Sequence, residues 1–261
     1  MRRFEGYGVL ITGAGRGIGA ATARRFADEG AGVLVTDLDG ARAEETAEAI
    51  RAAGGLAHGL ACDVGDRTAV RAAVDHAVER FGSLDVLVNN AFSCLPDAPL
   101  FEDQSDEDWE RDLDVTLTGA FRCARAALPE LAKAGGRGAI VSVGSVNGEQ
   151  DFGNHAYSAA KAGLTSLTRT LAGHAAPRGV RVNLVAPGTV RTPVWAGRED
   201  ALAQASASYP LGRVGEPGDV AAAIAFLASR DAAWITGVTL PVDGGLLISN
   251  VALRRALADE G

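Results

Sequence analysis

The stretch Gly8-Val9-Leu10-Ile11-Thr12-Gly13-Ala14-Gly15-Arg16-Gly17-Ile18-Gly19 decides the fold. A short apolar run reads as a buried strand, the glycines read as a tight turn, and the segment after Gly19 has helical periodicity. Glycines at such a turn let the backbone approach a pyrophosphate, whose charge is met by the free N–H groups and dipole of the helix N-terminus. Gly13, Arg16, Gly17, Ile18 and Gly19 are therefore candidate cofactor-binding residues. Asp37 ends the second apolar run 18 residues past Gly19, close to the spacing of about 20 expected of a carboxylate that accepts hydrogen bonds from a ribose. Such a carboxylate repels a 2′-phosphate, so NAD is favoured over NADP; the guanidinium of Arg16 weighs the other way.

Outward from this stretch, apolar runs alternate with amphipathic segments. Gly8–Thr12, Gly32–Asp37, Leu56–Ala61, Leu84–Asn89, Gly138–Val143, Val180–Ala186 and Val238–Val242 read as strands, several of them continuous Val/Ile/Leu runs of the kind buried on both faces. In 67–81, Val70, Ala73, Val74, Ala77, Val78 and Phe81 form one helical stripe, and Gly82 supplies its stop. This alternation predicts a doubly wound α/β fold: a mostly parallel central sheet of about seven strands with helices on both faces. No linker or repeat divides the chain, so residues 1–261 are expected to form one domain. Residues 188–217 break the alternation and read as either a substrate lid or an ordinary surface insertion, and 249–261 as either a short helix or a frayed tail.

Composition narrows the functional classes. Of 261 residues 47% are hydrophobic and 22% charged, as in ordinary globular chains, and the formal net charge is −8. With no basic run, neither nucleic acid nor an anionic membrane is expected as a partner. Cys62, Cys94 and Cys123 are widely spaced, fit reduced core thiols, and offer no metal site. The apolar run behind Arg2 and Arg3 is too short for an export signal, so a cytoplasmic protein is expected.

Tyr157-Ser158-Ala159-Ala160-Lys161 opens a helical segment that runs toward Ala176, and a spacing of four puts both side chains on one face. A tyrosine with an ordinary pKa of about 10 is a poor base near neutrality. A nearby ammonium would stabilise its phenolate, and Lys161 is placed to supply that charge.

Thr12-Gly-x-x-x-Gly17-x-Gly19, Asn89-Asn90-Ala91, Ser145 twelve residues before Tyr157-x-x-x-Lys161, Asn183 in Val-Asn-Leu-Val-Ala-Pro-Gly, and Asp243-Gly-Gly occur in one order along nearly the whole chain. Together they resemble the short-chain dehydrogenase/reductase family. The resemblance implies a Rossmann fold and an oxidoreductase that moves hydride between NAD(H) and a secondary alcohol or ketone. Tyr157 would be the general acid/base, Lys161 would tune it and hold the nicotinamide ribose, and Ser145 would donate to the substrate oxygen. Asp63 and Val64 would contact the adenine, Asn90 and Ala91 would lie along the cofactor, and Pro187, Gly188, Val190 and Thr192 would hold the carboxamide. Asn183 and Asp243 would support the fold. A homotetramer or homodimer that packs through the helix after Tyr157 is also implied.

The chain departs from the family pattern twice. Thr116 stands where the family carries the Asn of a proton relay behind the lysine, and Phe92 stands where Gly usually completes Asn-Asn-Ala-Gly. Pocket walls are expected from Ser93–Leu95, from 147–155 with Glu149, Gln150, Asn154 and His155 as a polar rim, and from Val194, Trp195 and Tyr209. Phe152 and Trp195 add apolar area suited to a hydroxylated ring or a medium-sized alcohol, and His155 is expected to satisfy a loop. One alternative is an NADPH-dependent 3-oxoacyl-thioester reductase, which would need a basic patch at the pocket mouth. Another is a catalytically weak NAD-binding sensor or assembly protein.

The chain holds 23 Arg and two Lys, Lys133 and Lys161. An arginine fork cannot replace a compact ammonium between a phenol and ribose hydroxyls. Lys161→Arg is expected to lose most turnover in a steady-state assay, and near-normal activity would overturn this account of the lysine.

Overall fold

The computed structural model describes residues 2–251, 254 and 257, so most of the expected terminal helix or tail lies outside the described residues. The first half of the chain runs β1 (Gly8–Ile11), α1 (Gly17–Asp28), β2 (Gly32–Asp37), α2 (Gly40–Ala52), β3 (Leu56–Ala61), α3 (Arg67–Phe81) and β4 (Val86–Asn89). The second half runs α4 (Asp106–Leu113), α5 (Gly119–Leu131), β5 (Ala139–Val143), α6 (His155–Ala175), β6 (Arg181–Pro187), α7 (Glu199–Ser206), α8 (Pro217–Ala228) and β7 (Thr239–Val242). A π-helical turn, Asp114–Thr118, joins α4 to α5.

All seven strands pair in parallel, in the order β3-β2-β1-β4-β5-β6-β7. The expected Rossmann-like sheet is therefore present, with strand bounds within two residues of the sequence reading. Period-two alternation sends Val9, Ile11, Val33, Val35, Val86 and Val88 into one core. Leu10, Leu34, Leu87 and Ile140 enter the core on the opposite face. Both sides of each central strand are buried, which is why the strands read as continuous apolar runs.

Local chemistry sets the helix ends. The Asp66 carboxylate accepts from the Thr68 N–H to start α3, and Gly82 ends it at φ 79°. Asp39 accepts from the Ala41 and Arg42 N–H groups to start α2. The fourth strand begins at Val86, later than the expected Leu84, although the Asp85 backbone already donates to Gly8 and accepts from Ala139; the Asp85 side chain is fully buried. Its carboxylate accepts from the Gly8 N–H at 2.9 Å and the Ser83 hydroxyl at 2.6 Å and pairs with Arg137 at 2.8 Å. Tying β1 to β4 in this way supports the sheet where its strand order reverses. Crossovers leave β1 toward β2 and reach β4 on its other side, so the loops beyond their carboxyl ends diverge and open a crevice, the usual ligand position in such sheets.

Candidate active site

At the crevice, the glycine turn is shaped by contacts that exclude side chains. Gly13 and Gly17 sit at φ 60° and 58°, and a Cβ on Gly19 would lie 2.5 Å from the Gly13 carbonyl oxygen. Arg16 precedes α1 without giving its N-terminus a side-chain cap, and the Arg16 side chain is exposed. The first N–H groups of α1, on Gly17, Ile18 and Gly19, are thus left for an anion. Asp37 accepts from the Gly15 N–H at 3.0 Å and the Asp39 N–H at 3.1 Å, which fixes its carboxylate beside the turn. Asn90 reaches across from the end of β4 and donates to the Thr12 and Gly13 carbonyls at 2.9 and 2.7 Å. The Thr12 hydroxyl accepts from the Asn90 and Ala91 N–H groups. Val64 is buried against Gly119, while Asp63 is exposed and accepts from Gly65 N–H. On the far side, Thr192 stands against Gly17, Gly188 follows Pro187 at the end of β6, and Val190 is buried. The glycine turn thus leaves its N–H groups free, with the Asp37 carboxylate fixed beside Gly15 and Thr192 facing Gly17.

The reacting pair lies on α6, where burial dominates its chemistry. Lys161 is 2% exposed, and its ammonium donates to the Val143 carbonyl at 2.6 Å. Desolvation pulls its pKa from 10.5 down to about 7, with the Cys94 thiol opposing slightly. Burial also pushes the Tyr157 phenol far above its ordinary range, and a hydrogen bond with Ser145 only partly offsets this. Burial is the leading influence on both groups and pushes each toward its neutral form. Ser145 is held by Asn147, accepting from its N–H at 3.2 Å and donating to its amide oxygen at 3.0 Å. Asn147 in turn donates to the Gly153 carbonyl at 3.2 Å.

Phe92 forms a wall beside this pair. Its ring is half-exposed, sits 6.0 Å from the Tyr157 ring in an edge-on arrangement, and lies 5.8 Å from the Lys161 nitrogen. The loop after it is fastened from α4 and the π turn. Buried Asp112 accepts from the Ser93 hydroxyl at 2.6 Å and the Leu95 N–H at 3.0 Å. The Thr116 hydroxyl accepts from the Ser93 N–H and donates to the Ser93 carbonyl, both at 3.0 Å. Thr116 therefore clasps Ser93 from both sides of its hydroxyl. Asp97 accepts from the Asn154 and His155 N–H groups at 2.7 and 2.9 Å and so caps α6 across 57 residues of chain. Asn154, which precedes α6, is the one non-glycine residue at positive φ among the described residues. Asp97 and Asp112 were missed by sequence reasoning; nothing in an Asp within a polar loop or an acidic helix signals a partner far away in the chain.

Several of the expected wall residues have partners of their own. Glu149 accepts from the Thr165 hydroxyl on α6, and with Gln150 it lines an outer groove of about 520 Å³ with Trp109, Ala159 and Ala162. At 100° per residue, Ala159 and Ala162 face away from Tyr157. His155 packs edge-on against Phe101 at 5.2 Å. Tyr209 is 4% exposed, and its hydroxyl accepts from the Thr189 N–H at 2.7 Å. Together with Leu202 and Val214 it forms a small core under residues 188–217, with Trp195 packed against it. The expectation of three core thiols also fails at Cys94, which is exposed on the substrate loop while Cys62 and Cys123 are buried. Partial burial and Asp112 hold the Cys94 thiol up at about 11.

Residues 13–247 match the family model described as enoyl-(acyl carrier protein) reductase. The chain is 46% identical to cis-4-hydroxycyclohexanecarboxylate dehydrogenase of Sinomonas cyclohexanicum, over 90% of this chain and 94% of that protein. It is 42% identical to 2,5-dichloro-2,5-cyclohexadiene-1,4-diol dehydrogenase LinX of Sphingobium indicum, over 93% and 97%. The crystal structure of gox2181 superposes with a TM-score of 0.88 at 34% identity, covering 95% of this chain and 98% of that one.

Burial of Lys161 has a consequence for stability. Below about pH 7 both folded and unfolded chains carry the proton, and the burial penalty is full; between about 7 and 10.5 the unfolded chain binds more protons, so stability rises with pH. Lys161→Met is expected to melt at least about 2 °C higher than the parent at pH 7, with the gap closing toward pH 10. A gap that stays constant from pH 7 to 10 would show that Lys161 is not held neutral by burial.

Proposed function

This chain belongs to the short-chain dehydrogenase/reductase family, as an oxidoreductase acting on CH–OH groups with a nicotinamide cofactor, and from that premise we propose that it interconverts a ring-borne secondary alcohol and its ketone using NAD(H). The observation that carries this reading is the Phe92 ring set edge-on to Tyr157 at 6.0 Å. It places a flat apolar wall directly beside the proton-transferring phenol, suited to the face of a small ring. The two dehydrogenases compared above are both named for hydroxylated six-membered carbocycles, which supports the same substrate class.

The cofactor, when bound, supplies or accepts the hydride. Tyr157, kept protonated by burial, is suited to give its proton to a carbonyl oxygen during reduction, and to take it back during alcohol oxidation. Ser145 turns its hydroxyl from Asn147 to the same oxygen and stabilises the charge that develops there. Lys161 stands behind the phenol on the Val143 carbonyl, ready to hold a ribose hydroxyl and to carry a proton as its environment changes. The groove residues Gly13, Arg16, Gly17, Ile18, Gly19, Asp63, Val64, Asn90, Ala91, Pro187, Gly188, Val190 and Thr192 cradle the cofactor. Asp37 selects NAD by repelling a 2′-phosphate, and Arg42, the cation nearest to it on α2, is engaged with Asp39 at 3.2 Å.

A carrier-bound thioester is disfavoured, because Asp97, Glu102, Asp103 and Asp151 make the surroundings of the rim acidic. Residues 188–217 act as the substrate lid of a single catalytic domain, resting on the small core around Tyr209. Assembly as a homo-oligomer is supported by the small exposed residues Ala159 and Ala162 on the outward face of α6. No described helix is long and apolar enough to cross a membrane, and a cytoplasmic location fits three free thiols.

Tyr157→Phe is expected to lower kcat for a cyclohexanone-type ketone by about 10²- to 10⁴-fold while NADH binding, followed by fluorescence titration, is unchanged. Turnover close to the parent's would defeat the assignment. Asp37→Ala should raise the NADP-to-NAD ratio of kcat/KM at least about tenfold, and an unchanged ratio would remove Asp37 as the selector.

A further inference from the structure

A second pocket, of about 250 Å³, lies between α3 and α5 on the far side of the sheet from the glycine turn, and four arginines line it: Arg67, Arg71, Arg122 and Arg125. Its floor is apolar, with Val70 and Ala126. We propose that this pocket is an anion-binding site for a phosphate or phosphate-monoester group, separate from the cofactor groove and independent of the substrate reading above.

Three observations carry the proposal. The arginines form like-charged pairs at helical contact distance, Arg67 with Arg71 four residues apart on α3 and Arg122 with Arg125 three apart on α5, and such pairs weaken a helix unless an opposite charge joins them. In a chain of net charge −8, acids are abundant, yet only Arg122 has one within ion-pair distance among the described residues. Its terminal nitrogens donate to Asp114 at 3.1 and 2.7 Å. Arg125 lies over the Phe121 ring at 5.1 Å, which restrains its fork, and Arg67 and Arg71 make no side-chain hydrogen bond or ion pair among the described residues.

Guanidinium forks match the tetrahedral oxygens of phosphate, and several converging on one point bind a dianion better than a chloride. The pocket has room for a phosphate group or for the phosphate end of a larger molecule, with the remainder in solvent. Arg122 also links the pocket to the active site. Its partner Asp114 opens the π turn that contains Thr116, and Thr116 clasps Ser93 of the substrate loop.

The test uses full-length protein held in saturating NAD, so that the glycine turn does not report. Melting temperature and calorimetric binding are measured with inorganic phosphate, with phenyl phosphate, and with sodium chloride at matched ionic strength. Phosphate is expected to stabilise the parent where chloride does not, and the double variant Arg71→Gln/Arg125→Gln should bind phosphate at least about tenfold more weakly. Both side chains are exposed, so the variant should fold; if it does not, Arg71→Gln alone serves. Equal affinity for phosphate and its phenyl ester supports a site that reads the phosphate alone, and preference for either source still supports it. Phosphate binding that is absent in the parent, matched by chloride, or unaltered in both variants overturns it.

Discussion

The side-chain amide of Asn90 spans the gap between β1 and β4 and holds the carbonyls of Thr12 and Gly13. That gap is where the sheet reverses its strand order, so the loops on either side diverge and have no common scaffold of their own. Asn90 supplies the scaffold. Its backbone continues into Ala91 and Phe92, so the amide that shapes the phosphate-ready turn also sets the starting point of the wall beside Tyr157. Thr12 completes the clamp by accepting from both neighbouring N–H groups. The groove and the reacting pair are one construction because this single residue belongs to both.

The reacting pair illustrates how burial sets chemistry. An amine and a phenol taken out of water are each pushed toward the neutral form, and burial is the leading influence on both. The cost is borne because a dry site strengthens every hydrogen bond made to the substrate oxygen. The Val143 carbonyl holds the Lys161 nitrogen in place whichever protonation state it adopts.

Around that pair, fastening is unusually dependent on carboxylates. Asp97 caps α6, Asp112 holds Ser93 and Leu95, and Asp114 begins the π turn with Arg122 on its carboxylate. The turn forms with Thr116 at the position where the family pattern has Asn, and the Thr116 hydroxyl both accepts from and donates to the Ser93 backbone. Asp112, the last acid of α4, is buried and holds the loop after Phe92.

Sequence by itself determined the sheet, its parallel pairing and the residues at its carboxyl edge. Continuous apolar runs report burial on two faces, glycines report a backbone that no side chain permits, and Tyr157 and Lys161 share a face by helical geometry alone; all three are local constraints, written into adjacent residues. Only the tertiary structure decided which groups meet across long separations. It set Glu149 against Thr165 of α6, put Tyr209 into a core, exposed Cys94, and made Asp97 the cap of a helix 57 residues away. Such pairings depend on where loops land after the sheet has formed. A polar residue in a loop carries no periodic signal, and its partner is chosen by distance in space, which the order of residues does not encode locally.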